Sequence, residues 1–223
     1  MPAATNIVEL RRMLGERFPE AHRARRPGGA PPWPTGVPAL DAVLGGGLVR
    51  GGLTELVGTG PGSGSAQVLH ALLARTVADG GFLALIDGAD SFDADAPTER
   101  ELARLLWVRC GKAEEALKAA DVVLRDRNLP CVVLDLKMNP ASELRRIPSS
   151  VWHRLGRIAE HQGTSLLVVT PWPMVGAVGV RVEARSGLGI EALREEPAMV
   201  LARLRFGRLR EAAGRTGAAA VAG

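Results

Sequence analysis

TELVGTGPGSGS, residues 54–65, decides the fold. Thr54–Gly58 reads as a strand, and the segment from Ser65 to Asp79 carries the apolar period of a helix. Between them run Gly58, Thr59, Gly60, Pro61, Gly62, Ser63, Gly64 and Ser65. A glycine-rich loop in that position lets backbone N–H groups surround an anion at the positive end of the helix. In the working form of such a loop, G-x-x-x-x-G-K-[ST], the lysine reaches the terminal phosphates and the hydroxyl holds magnesium. With Gly64 as the second glycine, Ser65 stands at the lysine position and Ala66 at the magnesium position. No shift by one or two residues brings a lysine into register, and the next lysine along the chain is Lys112. The loop reads first as a tight turn without a ligand. Weak nucleotide binding through the backbone alone, or capture of another anion, stays open.

Outward from the loop, strand-like and helix-like segments alternate. Residues 81–87 (GFLALID) form a second strand. Residues 97–107 look helical, and 106–109 run into a short strand. A helix follows over 112–127, an apolar strand over 131–136 (CVVLDL), a helix over 148–162 and another apolar strand over 165–170 (SLLVVT). Two alternating strands, 178–185 and 199–206, close the core. Short apolar strands separated by helices imply an α/β fold, a mainly parallel sheet covered on both faces. The last pair is expected to be antiparallel at the sheet edge. Residues 1–32 form an arm: an amphipathic helix with Ile7, Leu10, Leu14 and Phe18 at helical spacing, then a basic Pro/Gly linker. The core runs over 33–210, and the glycine-rich tail, 211–223, is expected to fray.

Composition sets the outer bounds. At 46% hydrophobic and 23% charged, 223 residues can bury a core without staples, and general disorder is excluded. No apolar run reaches about 18 residues, so no membrane span is expected. Charges inside the only apolar stretch of the N-terminus argue against a signal peptide. Cys110 and Cys131 are too few for a disulfide framework or a metal site and read as buried thiols of a cytoplasmic protein. The acidic run 87–95 (DGADSFDAD) lacks the spacing of a calcium loop, so no metal is assigned. A net charge of +4 permits nucleic-acid or acidic-protein partners without requiring them.

Taken in order, the motifs resemble the RecA recombinases. PTGVPALDAVLGGGLVRGGLTELVG (34–58) looks like the segment leading into their nucleotide loop. GFLALIDGADSFDAD (81–95) looks like their second strand, and CVVLDL (131–136) like the Walker B strand, with Asp135 at the magnesium-associated aspartate. LLVVTPWP (166–173) takes the place of the strand leading into the second DNA loop. VGVRVEARSGL (178–188) and MVLARLRFGR (199–208) look like the last two strands. The resemblance implies a RecA-like P-loop fold over about 33–208. Its departures imply lost catalysis. Ala89, with Asp90 beside it, stands where the family has its catalytic glutamate. The γ-phosphate-sensing glutamine is replaced within Thr170-Pro171-Trp172-Pro173. Hydrolysis needs both charge stabilisation and an oriented water, so a pseudo-ATPase is expected. A lone aspartate such as Asp135 more often binds backbone groups of the next loop than a metal.

Among RecA relatives without the ATPase chemistry, PTGVPALDAVLGGGLVRGGLTEL resembles the ImuA type, the accessory component of the damage-inducible translesion mutasome. That resemblance implies a cytoplasmic, nucleoid-associated scaffold without a cofactor. Its partners would be an inactive Y-family-like polymerase subunit, an error-prone replicative-type polymerase and RecA itself. A RecA-fold repair ATPase with residual activity and a SulA-type cell-division inhibitor are the alternatives. Arg203, Arg205, Arg208 and Trp172 are candidate contacts to single-stranded DNA or a partner, any DNA binding being weak; salt bridges to neighbouring carboxylates are the plainer reading of the arginines. The stripe Ile7, Leu10, Leu14 and Phe18 is a candidate partner helix, or else folds back on its own domain.

Overall fold

Strands that are apolar on both faces are stable only inside a sheet covered on both sides, and the chain builds that sheet. The structure, a computed structural model, describes residues 31–209 apart from Arg127 and Ala177. The arm helix with Ile7, Leu10, Leu14 and Phe18, and the tail, lie outside the described residues. Seven strands form one sheet: β1 (Leu53–Gly58), β2 (Leu83–Asp87), β3 (Leu105–Arg109), β4 (Cys131–Asp135), β5 (Ser165–Thr170), β6 (Val180–Ala184) and β7 (Phe206–Leu209). Their order is β3-β2-β4-β5-β1-β6-β7. Every neighbouring pair is parallel except β6 with β7, which is antiparallel as expected. The helices are α1 (Pro38–Leu44), α2 (Ser65–Ala78), α3 (Glu99–Leu102), α4 (Ala113–Val123), α5 (Ala141–Leu144), α6 (Ser149–Gln162) and α7 (Pro197–Arg203).

The two faces carry separate cores. On one, Ala116 and Ala120 of α4 and Trp152, Leu155 and Ala159 of α6 pack on Ile86, Leu134 and Val168. On the other, Leu40 of α1 and Val68 and Leu72 of α2 pack on Leu56, Leu85, Val133 and Val169. The segment before β1 is held by its own side chains. The Thr35 amide and hydroxyl both donate to Asp41 Oδ1, at 2.9 and 2.8 Å, and this clamps the entry to α1. The Thr-Gly and Leu-Asp pairs that carry the family resemblance are therefore structural. Cys110 and Cys131 are both free and buried.

Two sequence expectations are corrected. The helix over 97–107 shrinks to Glu99–Leu102, opened by a Thr98/Glu101 capping box. None of its residues is buried, so no apolar face extends it, and β2 captures Leu105–Arg109 as a strand instead. The strand over 199–206 is α7, followed by the shorter β7. Met199, Leu201 and Arg203 gave a false alternation. The side chains that reach the core are Val200 and Leu204, four apart, and Pro197 in the first turn favours a helix start.

Candidate functional site

The parallel strands end together, so the loops after β1, β2, β4 and β5 meet at one end of the sheet, where open α/β sheets place their ligands. The loop after β1 enters α2 through Gly64 in the left-handed region, without a side-chain cap and with no acidic residue in the first turn. The positive end of α2 thus has no carboxylate of its own to balance it. Gly62, with φ +67°, is required by close packing: a Cβ there would lie 2.1 Å from the Leu188 carbonyl oxygen. The Leu188 amide donates to Gly62 O at 2.9 Å, so the segment after β6 crosses over the loop.

A lysine does reach this loop, from a different element. Lys137 lies two residues beyond β4, and its Nζ donates to Ser63 Oγ at 2.8 Å and to Ser65 Oγ at 3.0 Å. Both serines are buried. Gly58 makes room for it, since a Cβ at that position would stand 3.3 Å from Lys137 Cε and 2.8 Å from Ser63 Oγ. No lysine stands in register along the chain near the loop, but in space β4 lies one strand away from β1, across β5. The signal that would have found Lys137 was its place just past Asp135, at the same end of the sheet. A cavity of about 290 Å³ opens here, lined by Ser63 to Gln67, Lys137 and the Leu188–Ile190 segment. Its lining holds one cation and no carboxylate. Burial lowers the Lys137 ammonium below its ordinary range, and Asp135 opposes that shift.

The other nucleotide-site positions are committed elsewhere. Asp135 Oδ1 accepts the Lys137 amide at 2.9 Å. Burial pushes its carboxyl up to about 6; that amide bond opposes the rise, and Asp87 beside it in register adds to it. Asp87 is buried and organises the next loop, accepting the Ser91 and Phe92 amides at 3.0 and 2.8 Å. Asp90 sits at φ +52° and holds Arg109 through two bonds, at 2.6 and 2.7 Å. That bond keeps its carboxyl below the usual range. Thr170 donates to Glu55 Oε1 at 2.9 Å. Glu55 is fully buried, also accepts the Met174 and Val175 amides at 2.8 and 3.1 Å, and pairs with Arg181. The strand-end run that carries Trp172 is therefore pinned to β1, and Trp172 itself is half-buried against the core.

The structure does not bring the candidate arginines into one strand ladder. Arg203 lies on α7 and pairs with Glu195. The Arg205 guanidinium donates to the Ala202 and Leu204 carbonyls, both at 2.9 Å. Arg208 lies exposed on β7.

Among the described residues no helix is long and apolar enough to cross a membrane. No family model matches the chain. It is similar to the protein RecA of Cutibacterium acnes, 34% identical over 116 residues, half of this chain and 33% of that protein. With the protein RecA of Mycobacterium tuberculosis it shares 37% over 105 residues, 46% of this chain and 13% of that protein. With that of Kineococcus radiotolerans it shares 29% over 153 residues, 61% of this chain and 44% of that protein. The chain spans less than half the length of each of these relatives. Its sheet and its partial matches together support a RecA-like fold and a distant relationship to RecA over about half the chain.

Proposed function

We propose that this protein is a non-catalytic, RecA-like scaffold of damage-induced, error-prone translesion DNA synthesis, of the ImuA type. One observation carries the reading: the positions of the magnesium hydroxyl, the catalytic glutamate and the γ-phosphate-sensing glutamine all lack those groups. Ala66 offers no oxygen for magnesium, Asp90 is engaged by Arg109, and Thr170 is bonded to Glu55. A fold kept without its reaction is suited to binding. Its partners in this reading are an inactive Y-family-like polymerase subunit and an error-prone replicative-type polymerase. The arm stripe of Leu10 and Leu14 is the contact proposed for one of them. Tagged protein would be recovered from cells after DNA damage. Polymerase subunits should co-purify, and Leu10→Asp with Leu14→Asp should release them. Recovery of a cell-division GTPase instead would replace this reading with the SulA-type one.

A second reading is favoured by Lys137. The residues present fit a phosphoryl group, with an ammonium and the end of α2 facing a cavity without carboxylates. They do not fit the magnesium that accompanies phosphoryl transfer, because Ala66 replaces its hydroxyl ligand. In this reading the loop holds phosphate or a nucleotide tail without acting on it. Calorimetric titration with ATP in the absence of magnesium should then give binding that Lys137→Met abolishes. No heat in either protein would leave a loop that only turns the chain.

A further inference from the structure

A different surface carries charge that the loop does not use. The outer face of α6 and the end of α4 border a cleft of about 500 Å³ on the side of the sheet opposite α2. Its lining includes Arg125, His153, Arg154, Arg157 and His161 and no carboxylate. Asp121 sits behind it and braces two of the guanidiniums: Arg125 Nη2 lies 3.0 Å from Oδ2, and Arg154 Nε lies 2.9 Å from Oδ1. One carboxylate thus orients two arginines and leaves a net positive charge. Arg157, between them and the end of the helix, has no ion pair or hydrogen bond among the described residues.

We propose that this cleft docks the sugar–phosphate backbone of a nucleic acid through Arg125, Arg154 and Arg157, without reading bases. Three features select that occupant. Arg154 and Arg157 lie three residues apart on α6, roughly 4.5 Å along its axis, with Arg125 beside them from the end of α4, close enough to engage neighbouring phosphates of one strand. Guanidiniums match phosphate oxygens in pairs. The lining contains a single apolar side chain, Ile158, so an acidic peptide would find no hydrophobic anchor. No Trp, Tyr or Phe lines the cleft, whose only rings are the imidazoles of His153 and His161, and Trp152 on the same helix is turned into the core. Without a large ring to stack on, bases contribute little, and contact is mainly with the backbone. The cleft acts this way whether or not polymerases dock elsewhere.

The test is fluorescence anisotropy of the full chain with labelled single-stranded and duplex oligonucleotides, between about 50 and about 200 mM salt. Arg154→Glu with Arg157→Glu should weaken binding by about tenfold or more and make the salt dependence shallower by about two phosphates. Arg157→Glu alone breaks no ion pair or hydrogen bond among the described residues and should weaken binding on its own, which separates docking from folding. Arg154→Lys with Arg157→Lys should keep the salt dependence but lose part of the affinity, since an ammonium does not pair two phosphate oxygens. Wild-type affinity in both glutamate variants would overturn the proposal. So would tighter, Arg157-dependent binding of a labelled polyglutamate, which would assign the cleft to an acidic protein segment.

Discussion

A methyl group at Gly58 would meet Ser63 Oγ at 2.8 Å and the end of Lys137 at 3.3 to 3.4 Å. Gly58→Ala should therefore displace the ammonium and unpair two buried hydroxyls. The expected loss is about 1–3 kcal/mol, read from urea unfolding. Asp135 makes a pH-dependent prediction. Its folded carboxyl titrates near 6, above its unfolded value. The folded state therefore binds the extra proton, and the contribution of Asp135 to stability falls as pH rises from about 4 to about 6. Asp135→Asn removes that slope. Relative to wild type, the variant should gain about 2–3 kcal/mol across this window and nothing more above it. Parallel wild-type and variant curves from pH 4 to 6 would contradict the assignment. At this scale the sequence was only half legible. Glycines and missing hydroxyls can be read from a motif, but a lysine arriving across β5 depends on strand order, which no local pattern encodes.

Among the elements, the joint between β1, β5 and β6 bears most on the site. Glu55 is fully buried and accepts from Thr170, Met174, Val175 and Arg181. Arg181 also donates to Val175 O at 2.7 Å. Arg181→Met would leave a buried carboxylate without its cation, and such losses run to about 3–5 kcal/mol. Thermal melting of that variant should show a large drop, whereas Arg208→Met, on an exposed side chain of β7, should melt like wild type. The long periodic elements α2, α4 and α6 and the apolar strands were legible because burial on both sides leaves an unbroken signal. α3 and α7 were not. A four-residue helix has no period to read, and in α7 chance alternation at 199, 201 and 203 masked the buried pair Val200 and Leu204.

At the scale of the whole molecule, the strand order gathers the loops after six parallel strands at one end, as an ATPase of this fold would. The α/β class and the order of motifs were legible because each strand keeps its place relative to the loop. What the assembled end can do was not, since it rests on which side chains are already bonded: Asp90 to Arg109, Thr170 to Glu55, Lys137 to two serines. With Ala66 in place of the magnesium hydroxyl and Ala89 in place of the glutamate, a scaffold is expected and turnover is not. Phosphate release by the purified chain with ATP, magnesium and single-stranded DNA decides between them. Release should stay at the level of a blank without protein. Steady, DNA-stimulated release that vanishes in Lys137→Ala and in Asp135→Ala would show a working ATPase built from a transposed lysine, and the scaffold reading would fall.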